Sequence, residues 1–548
     1  MSMFLSVILY AIQIVLPFMG ILIIYYCFRS LFENISPEYP LVAFYNQTNK
    51  QKIPIVYWEN SIGRDKHSDI VVNSPMASRS HAVFCRRNEG WVISDTNSKC
   101  GVFLNGEKID GSETVYIDDV IDIGGEEYKL SKSNILKRDN IRPLKSRAYS
   151  NSSILILISI FEFFAALQLC FASGSFTYNP MIIFGLLFAV SWISYFITTF
   201  AFKRVNFEIE LLGIFLSGIG ILTLGGVDIN ETYMQIAAFA IGIIFFNFML
   251  FLMKDPDFAM KLRPYIAAIA VAFLVVNLVF GKVKNGSQNW ITFGGFSFQP
   301  SELVKVAFVF LGTSTLQGVQ TTKNLTGFII FSGICMGALF LMGDFGTASV
   351  FFITFILISF MRSGNIRTVF LICAAAVIGF LFIMKFKPYI VTRFSAWRHV
   401  WEHINDTGYQ QTRVLTYAAS GGLLGLGLGK GCLKYIFAAP SDLVFGMICE
   451  EWGVILAILL LLSISFFGIY SRKASVKSRS AFYSIAACCA SGMIVFQMIM
   501  NVFGVVDILP LTGVTLPFIS QGGSSLISVW GLLSFIKASD ERTYALRR

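Results

Sequence analysis

Glu302 and Lys305 stand three residues apart inside a mostly apolar stretch that begins Gln299-Pro300-Ser301-Glu302-Leu303-Val304-Lys305. A charge inside lipid costs at least about 2.5 kcal/mol on insertion scales, so such a pair marks a functional position by default. On a helix this spacing puts both groups on one face, where they pair with each other or aim an ammonium at a phosphate. Two further carboxylates, Glu402 and Asp406, lie in a long polar stretch. There an acid could take a proton from an attacking hydroxyl. The same stretch holds His399-Val400-Trp401-Glu402-His403, an H-x-x-E-H pattern that in a zinc peptidase supplies two ligands and a base. No third ligand on a neighbouring soluble helix accompanies it. An amphipathic surface helix resting Trp397 and Trp401 at a membrane interface accounts for the same residues. A third constellation is Gly63-Arg64, Ser78-Arg79-Ser80-His81 and Asn105-Gly106. Guanidinium and hydroxyl donors converging from loops suit a phosphorylated side chain.

The elements that must position these groups are of two kinds. The chain has 548 residues, 55% hydrophobic and only 14% charged, which excludes a single water-soluble domain and makes lipid the solvent for most of it. Its 54 Phe and 45 Gly suit apolar helices in close approach. The formal charge is +10, yet residues 41–130 carry 10 basic against 13 acidic groups. The basic excess therefore lies in short runs beside apolar segments, which reads as cytoplasmic loops and not as a nucleic-acid surface. Ten scattered Cys without a C-x-x-C pair give no disulfide framework and no structural zinc site. Residues 3–28 are too long and lack the small-residue cleavage site of a signal peptide.

After a first transmembrane helix at 1–30, short β-branched or aromatic segments follow: Ile53–Trp58, Ile70–Asn73, Ala82–Cys85, Trp91–Asp95 and Val102–Asn105. Turn residues bound them, predicting a small all-β sandwich over 41–131. A basic linker, 132–152, leads to apolar runs at about 153–172, 180–202, 207–227, 232–253, 264–281, 301–319, 324–343, 345–361, 367–385, 443–470, 481–504 and 512–536. With the first run these predict roughly thirteen spans. Alternation places the basic linker, Lys254/Lys261/Arg263, Lys323, Arg362/Arg367, Arg472–Arg479 and the tail 538–548 on one side. The N-terminus is then outside, and the β domain and C-terminus are cytoplasmic. Two outer loops stand out, 282–300 with Trp290 and the long 386–441, whose length marks it as functional.

The β segment resembles a forkhead-associated (FHA) domain on its Gly-Arg, Ser-Arg-x-His and Asn-Gly elements. That resemblance implies phosphothreonine binding by Arg64 and Ser78, with Arg79 and Asn105 beside them and His81 bracing the loop. The family's Asn-Gly-Thr is Cys100-Gly101-Val102 here, so one backbone-holding amide is missing.

The membrane segment is similar to the SEDS family (shape, elongation, division and sporulation), whose members include FtsW, RodA and SpoVE. Four ordered blocks carry the likeness: Asn289-Trp290-Ile291 through Phe298-Gln299-Pro300-Ser301-Glu302-Leu303-Val304-Lys305; Gly343-Asp344-Phe345-Gly346-Thr347-Ala348; Gly408-Tyr409-Gln410 with Ser420-Gly421-Gly422; and Leu516-Pro517-Phe518-Ile519-Ser520-Gln521-Gly522-Gly523-Ser524-Ser525. The expected architecture is a polytopic α-helical membrane protein, with a ten-helix SEDS core at 207–537. Two extra spans at 153–206, the N-terminal helix and the inserted FHA sandwich are additions to that core.

The resemblance implies a peptidoglycan glycosyltransferase that polymerises lipid II, an undecaprenyl-pyrophosphate-linked disaccharide. It implies a cavity lined by Trp290 and Gln299, with Glu302 and Lys305 in its wall and Arg393, Tyr409, Gln410, Asp442 and Ser520 as further substrate contacts. The family's catalytic Asp falls between an Arg and Gly-Tyr-Gln. A gapless comparison puts His403 there, so Asp406 is the expected base, with Glu402 second. Only Asp442 survives of a second acidic pattern, which here reads Phe437-Ala438, then Pro440-Ser441-Asp442. A lipid II flippase and a catalytically weak scaffold are the alternatives. Mg2+ or Mn2+ could bridge Asp406 and pyrophosphate, although no ligand set compels a metal. Expected partners are lipid II, a class B penicillin-binding protein, a phosphothreonine protein and membrane lipid; the expected location is the bacterial plasma membrane. Elongation, division and sporulation are not distinguished.

Overall fold

In a computed structural model, the described residues are 3–33, 42–55, 59–66, 68–87, 90–132, 150–202, 204, 206–254, 256–284, 287–293, 296–314, 322–363, 366–367, 369–374, 397–476, 478, 481–540 and 543. Most of the basic linker, Arg393, most of the 367–385 run and most of the C-terminal tail lie outside them.

The chain begins with α1 (Met3–Glu33) and then enters two packed sheets. One has strand order β2 (Lys52–Ile55), β1 (Val42–Asn46), β11 (Glu126–Lys132), β10 (Val120–Ile123), β7 (Val102–Leu104), β8 (Glu107–Lys108). The other runs β4 (Ile70–Val71), β3 (Glu59–Gly63), β5 (Ala82–Arg87), β6 (Gly90–Asp95), β9 (Ser112–Val115). Alternation along β10, whose Ile121 and Ile123 point inward, is what a sheet with one wet face requires. Phe44, Phe84, Ile93, Val102 and Tyr128 fill the space between the sheets, and Trp91 stacks on Phe84 at 4.8 Å between ring centroids.

The membrane part consists of α2 (Asn151–Cys170), α3 (Asn179–Phe196), α4 (Glu208–Gly225), α5 (Ile229–Leu252), α6 (Pro256–Phe280), α7 (Pro300–Ser314), α8 (Thr322–Met342), α9 (Phe345–Ser363), α10 (Tyr409–Gly421), α11 (Val444–Glu451), α12 (Val454–Val476), α13 (Ala481–Val505) and α14 (Gly523–Ala538). Helices dominate because lipid offers the backbone no hydrogen-bond partner. Among the described residues, 8 helices are long and apolar enough to span, and three shorter apolar ones are Thr326–Met342, Phe345–Met361 and Gly523–Ala538. α4 lies at the centre, buried along nearly its whole length. Trp530 on α14 packs against it; a Cβ at Gly213 would stand 3.1 Å from the indole, so a small residue is needed there. The indole N–H donates to Ser217 Oγ at 3.3 Å. The additions grip the same helix, with Phe161 of α2 set 5.2 Å from Phe215 and stacked on Trp452 at 5.7 Å.

Three expectations change. The 443–470 run is two helices broken at Gly453, where φ is +89° and a Cβ would meet the Leu423 carbonyl at 2.4 Å. The 512–536 run is helical only from Gly523; before it, Gly513, Phe518 and Gly522 adopt positive φ in a non-helical segment. Such backbone survives in a membrane protein where protein groups satisfy it. The 282–300 loop is a three-stranded ribbon, β12 (Lys282–Lys284), β13 (Ser287–Phe293) and β14 (Phe296–Phe298), with Trp290 paired to Lys282 and Ile291 to Phe298.

Candidate active site

The ribbon, the start of α7, the start of α9, the stretch 437–442 and the non-helical stretch before α14 enclose a cavity of about 310 Å3. Pro300 opens α7, where its missing N–H costs nothing. Glu302 then falls in the first turn, where the helix dipole favours a negative charge. The Glu302 carboxylate faces the cavity and its Oε2 pairs with Lys305 Nζ at 2.8 Å. Lys305 is only 1% exposed and also donates to Gln497 Oε1 at 2.8 Å. Gln497 passes the network on, donating to the Thr515 carbonyl and hydroxyl at 3.0 Å each.

Asp344 caps α9, accepting from the Thr347 N–H at 3.0 Å. Its second oxygen accepts from Asn289 Nδ2 at 2.9 Å and Gln299 Nε2 at 3.3 Å. Three donors to one carboxylate fix its orientation. Asp442 lines the opposite side beside Ala438, Pro440 and Ser441. Its peptide is fixed twice, by its N–H to the Ala438 carbonyl at 2.9 Å and by Asn501 Nδ2 to its own carbonyl at 2.9 Å. Thus the cavity presents Glu302, Asp344 and Asp442, and no Lys or Arg among its described lining residues.

Trp290, Gln299, Glu302 and Asp442, each expected from sequence, meet here. Lys305 does not reach the surface of the cavity; it sits behind Glu302. Ser520 also stands behind the wall, its hydroxyl accepting the Leu516 N–H at 2.7 Å and donating to the Ser441 carbonyl. Gln410 braces the wall through the Phe437 carbonyl at 3.1 Å, while Tyr409 points outward under Arg413, 5.3 Å from the ring. Arg393 lies outside the described residues. Asn289, Asp344, Gln497 and Asn501 were not among the expected contacts. Asp344 was visible as an acid heading an apolar run; the two α13 amides offered only their polarity within a span.

The two carboxylates expected to act as base are elsewhere. Glu402 and Asp406 are both exposed and neither lines the cavity. Glu402 instead faces His399 Nδ1 at 3.3 Å. Their stretch is a series of turns and not the amphipathic helix expected; Trp397 Nε1 donates to the Ile508 carbonyl at 3.1 Å and the Arg398 N–H to Asp507 at 3.1 Å. Without a helix, the i,i+4 placement of His399 and His403 that a zinc site needs is lost. Among the described residues no group of three or more His, Cys, Asp or Glu is arranged to hold a metal.

At the FHA apex, Arg64 is exposed, with Nη1 donating to the Pro75 carbonyl at 3.3 Å. Gly63 lets this strand end approach the next loop: a Cβ there would sit 2.1 Å from the Arg79 carbonyl oxygen. Buried His81 accepts the Ser78 N–H at Nδ1, 3.0 Å away, so its proton sits on Nε2 and points to the Gly101 carbonyl at 3.1 Å. Ser78 Oγ accepts the Lys99 N–H at 3.1 Å and keeps its own proton to donate. Arg79 is exposed beside it. Exposed Asn105 accepts from the Val120 N–H at 2.9 Å and donates one amide hydrogen to Asp119 at 3.0 Å, so it shapes the turn at the apex.

Residues 214–544 match the profile of the cell cycle protein family of FtsW, RodA and SpoVE, and residues 60–124 match the FHA domain. The chain is 33% identical over 295 residues to the probable peptidoglycan glycosyltransferase FtsW of Buchnera aphidicola from Acyrthosiphon pisum, covering 52% of this chain and 74% of that protein. It is 31% identical over 271 residues to stage V sporulation protein E of Bacillus subtilis, 48% of this chain and 74% of that one. A chain from a solved peptidoglycan synthase complex, in which polymerization and crosslinking are coordinated, shares the fold: TM-score 0.51, 24% identity, 61% of this chain and 96% of that chain.

Proposed function

Because the chain belongs to the FtsW/RodA/SpoVE family of cell cycle proteins, we propose that it is a peptidoglycan glycosyltransferase that joins lipid II units into glycan strands. The observation that carries this reading is the convergence of Trp290, Gln299, Glu302, Asp344 and Asp442 on one cavity, although they lie far apart in sequence. Asp442, whose peptide is fixed at both its N–H and its carbonyl in the cavity wall, is the acid assigned as base. Asp344, held by three donors, and Glu302, held by Lys305, orient the sugars. Asp442 takes the proton of the acceptor hydroxyl as that oxygen attacks the anomeric carbon, while the bond from that carbon to the pyrophosphate oxygen breaks.

The departing pyrophosphate needs positive charge. A lining of three carboxylates without a cation suits Mg2+ or Mn2+ carried by the pyrophosphate better than an ion held by the protein alone. When bound, that cation neutralises the leaving group. The protein's own residues fix the two sugars and accept the proton.

Short basic loops support an orientation in the bacterial plasma membrane with the cavity outward and the FHA domain inside. Arg64 and Ser78 then read phosphothreonine on a cytoplasmic protein or on this chain, and a class B penicillin-binding protein is the crosslinking partner, by analogy with the solved synthase complex. The test is the full chain reconstituted with lipid II. Strands several units long support the reading. Transfer of lipid II across the bilayer without strands would make it a flippase, and neither activity would leave a scaffold.

A further inference from the structure

A second cavity, of about 530 Å3, opens where the added helices meet the core. Its walls come from the α2–α3 connection (Leu169, Ala172, Ser173, Thr177, Asn179, Pro180), the α4–α5 turn and the loop Gly429–Tyr435. The α2–α3 part lies outside the matched family region 214–544, so the cavity exists only because this chain carries extra spans. It lies at the same end of the bundle as the reaction cavity, since the stretch 429–442 contributes to both.

Close packing fixes it in place. A Cβ at Gly226 would lie 3.0 Å from Gly429 Cα, and one at Gly429 would lie 2.9 Å from Ala172 Cβ. From behind, Glu450 accepts the Cys432 and Leu433 N–H groups at 2.7 and 2.9 Å, and Glu451 accepts the Gly429 N–H at 3.1 Å. Those carboxylates accept from backbone, and no acid is among the described lining residues. The nearest acid in sequence, Asp228, caps α5 through the Asn230 and Glu231 N–H groups.

The lining has two tiers. Leu169, Ala172, Pro180 and Ile229 are apolar or small, whereas Ser173, Thr177, Asn179, Lys430 and Lys434 are polar. Lys434 Nζ spends one proton on the Gly429 carbonyl at 2.6 Å and has two more; Lys430 is exposed. Tyr435 of the lining is 80% exposed, and the α2–α3 connection that supplies Ser173 and Thr177 also carries exposed Phe176 and Tyr178, aromatics of the kind that sit at headgroup level. A basic pocket between helix ends, oily below and polar above, has the chemistry of a headgroup site.

We propose that this cavity binds the phosphate of a lipid in the leaflet that supplies the reaction cavity. The phosphate meets Lys430 and Lys434, and the apolar tier receives the start of the chain. Two lipids share this chemistry, an anionic phospholipid and a polyprenyl pyrophosphate.

The test uses the full chain in phosphatidylcholine nanodiscs containing either phosphatidylglycerol or polyprenyl pyrophosphate, with retained lipid counted by native mass spectrometry. Lys430→Glu should cut retention at least about tenfold. Ser173→Trp, which plugs the cavity without touching a charge, should do the same. Loss in the phosphatidylglycerol arm alone assigns the bulk lipid, loss in the other arm alone assigns the carrier, and either supports the site. Retention unchanged by both substitutions in both arms overturns it. Because the readout needs no polymerisation, it stands or falls apart from the glycosyltransferase reading.

Discussion

On the proposed function the reaction cavity and the FHA apex both take phosphate-bearing ligands, yet they are built in opposite ways. In the cavity, Asp344 has three donors, and Glu302 is tied through Lys305 and Gln497 to the α14 entry. At the apex, Arg64 lies exposed with one long hydrogen bond to a carbonyl. The difference follows from the solvent. Lipid cannot satisfy a charge, so a membrane site must be wired before the substrate arrives. Water can, so an aqueous site leaves its guanidinium waiting and completes the network with the ligand. The cavity should therefore fail by losing stability as well as rate, and the apex by losing affinity alone.

Lys305→Ala is the largest expected break. It strands Glu302 in the wall and should cost about 3–5 kcal/mol, read as a fall in thermal unfolding temperature of the detergent-solubilised chain. Replacing both partners, Glu302→Gln with Lys305→Met, should recover more than half of that loss, though not polymerisation. A mild shift for the single change would mean that the network is not what supports the wall.

Arg64→Ala sharpens the other side. Binding of a phosphothreonine peptide should weaken about 10–100-fold, read by titration calorimetry, with the unfolding temperature unchanged in a thermal melt. Asn105→Ala should lower the stability of the sandwich, because its amide bridges Val120 and Asp119.

The smallest effect concerns Glu451, which precedes the span that starts at Val454. Burial is the main cause that pushes its carboxyl up from 4.5 to about 7; the Gly429 N–H and Lys434 pull it down, and Glu450 adds to the rise. Between those pH values the folded state keeps a proton that the unfolded state releases. The contribution to stability is thus fully present below about 4.5 and is lost as pH climbs toward 7. Protection of the 425–433 loop in hydrogen exchange, taken relative to the intrinsic rate at each pH, should fall over that window, and Glu451→Gln should flatten the fall.

Much of this was legible in the sequence, for reasons that differ by region. The sandwich was legible because alternation and turn residues are local signals, and Gly63, Ser78 and His81 act through neighbours close in sequence. Glu302 was legible as a charge heading an apolar helix; Asp344 carried the same signal but was not among the expected contacts. The proposed base was not legible. Asp406 was expected because it lies next to Gly408-Tyr409-Gln410, but linear proximity to a motif says nothing about which turn faces inward. The stretch 397–408 is pinned outward by Trp397 and Arg398 on the 507–508 turn. Asp442 instead reaches the cavity because Asn501, some sixty residues away, holds its carbonyl. Hydropathy likewise merged 512–522 with α14, because the buried non-helical backbone there is as apolar as a helix.

The central claim is that the proton is taken at the cavity wall and not on the outer turns. The direct measurement compares Asp442→Asn with Asp406→Asn and Glu402→Gln in one lipid II polymerisation assay with reconstituted full chain. Asp442→Asn should lower the rate by about 100-fold or more, while the other two stay within a few-fold of the parent. A collapse at Asp406 with Asp442→Asn still active would contradict the account.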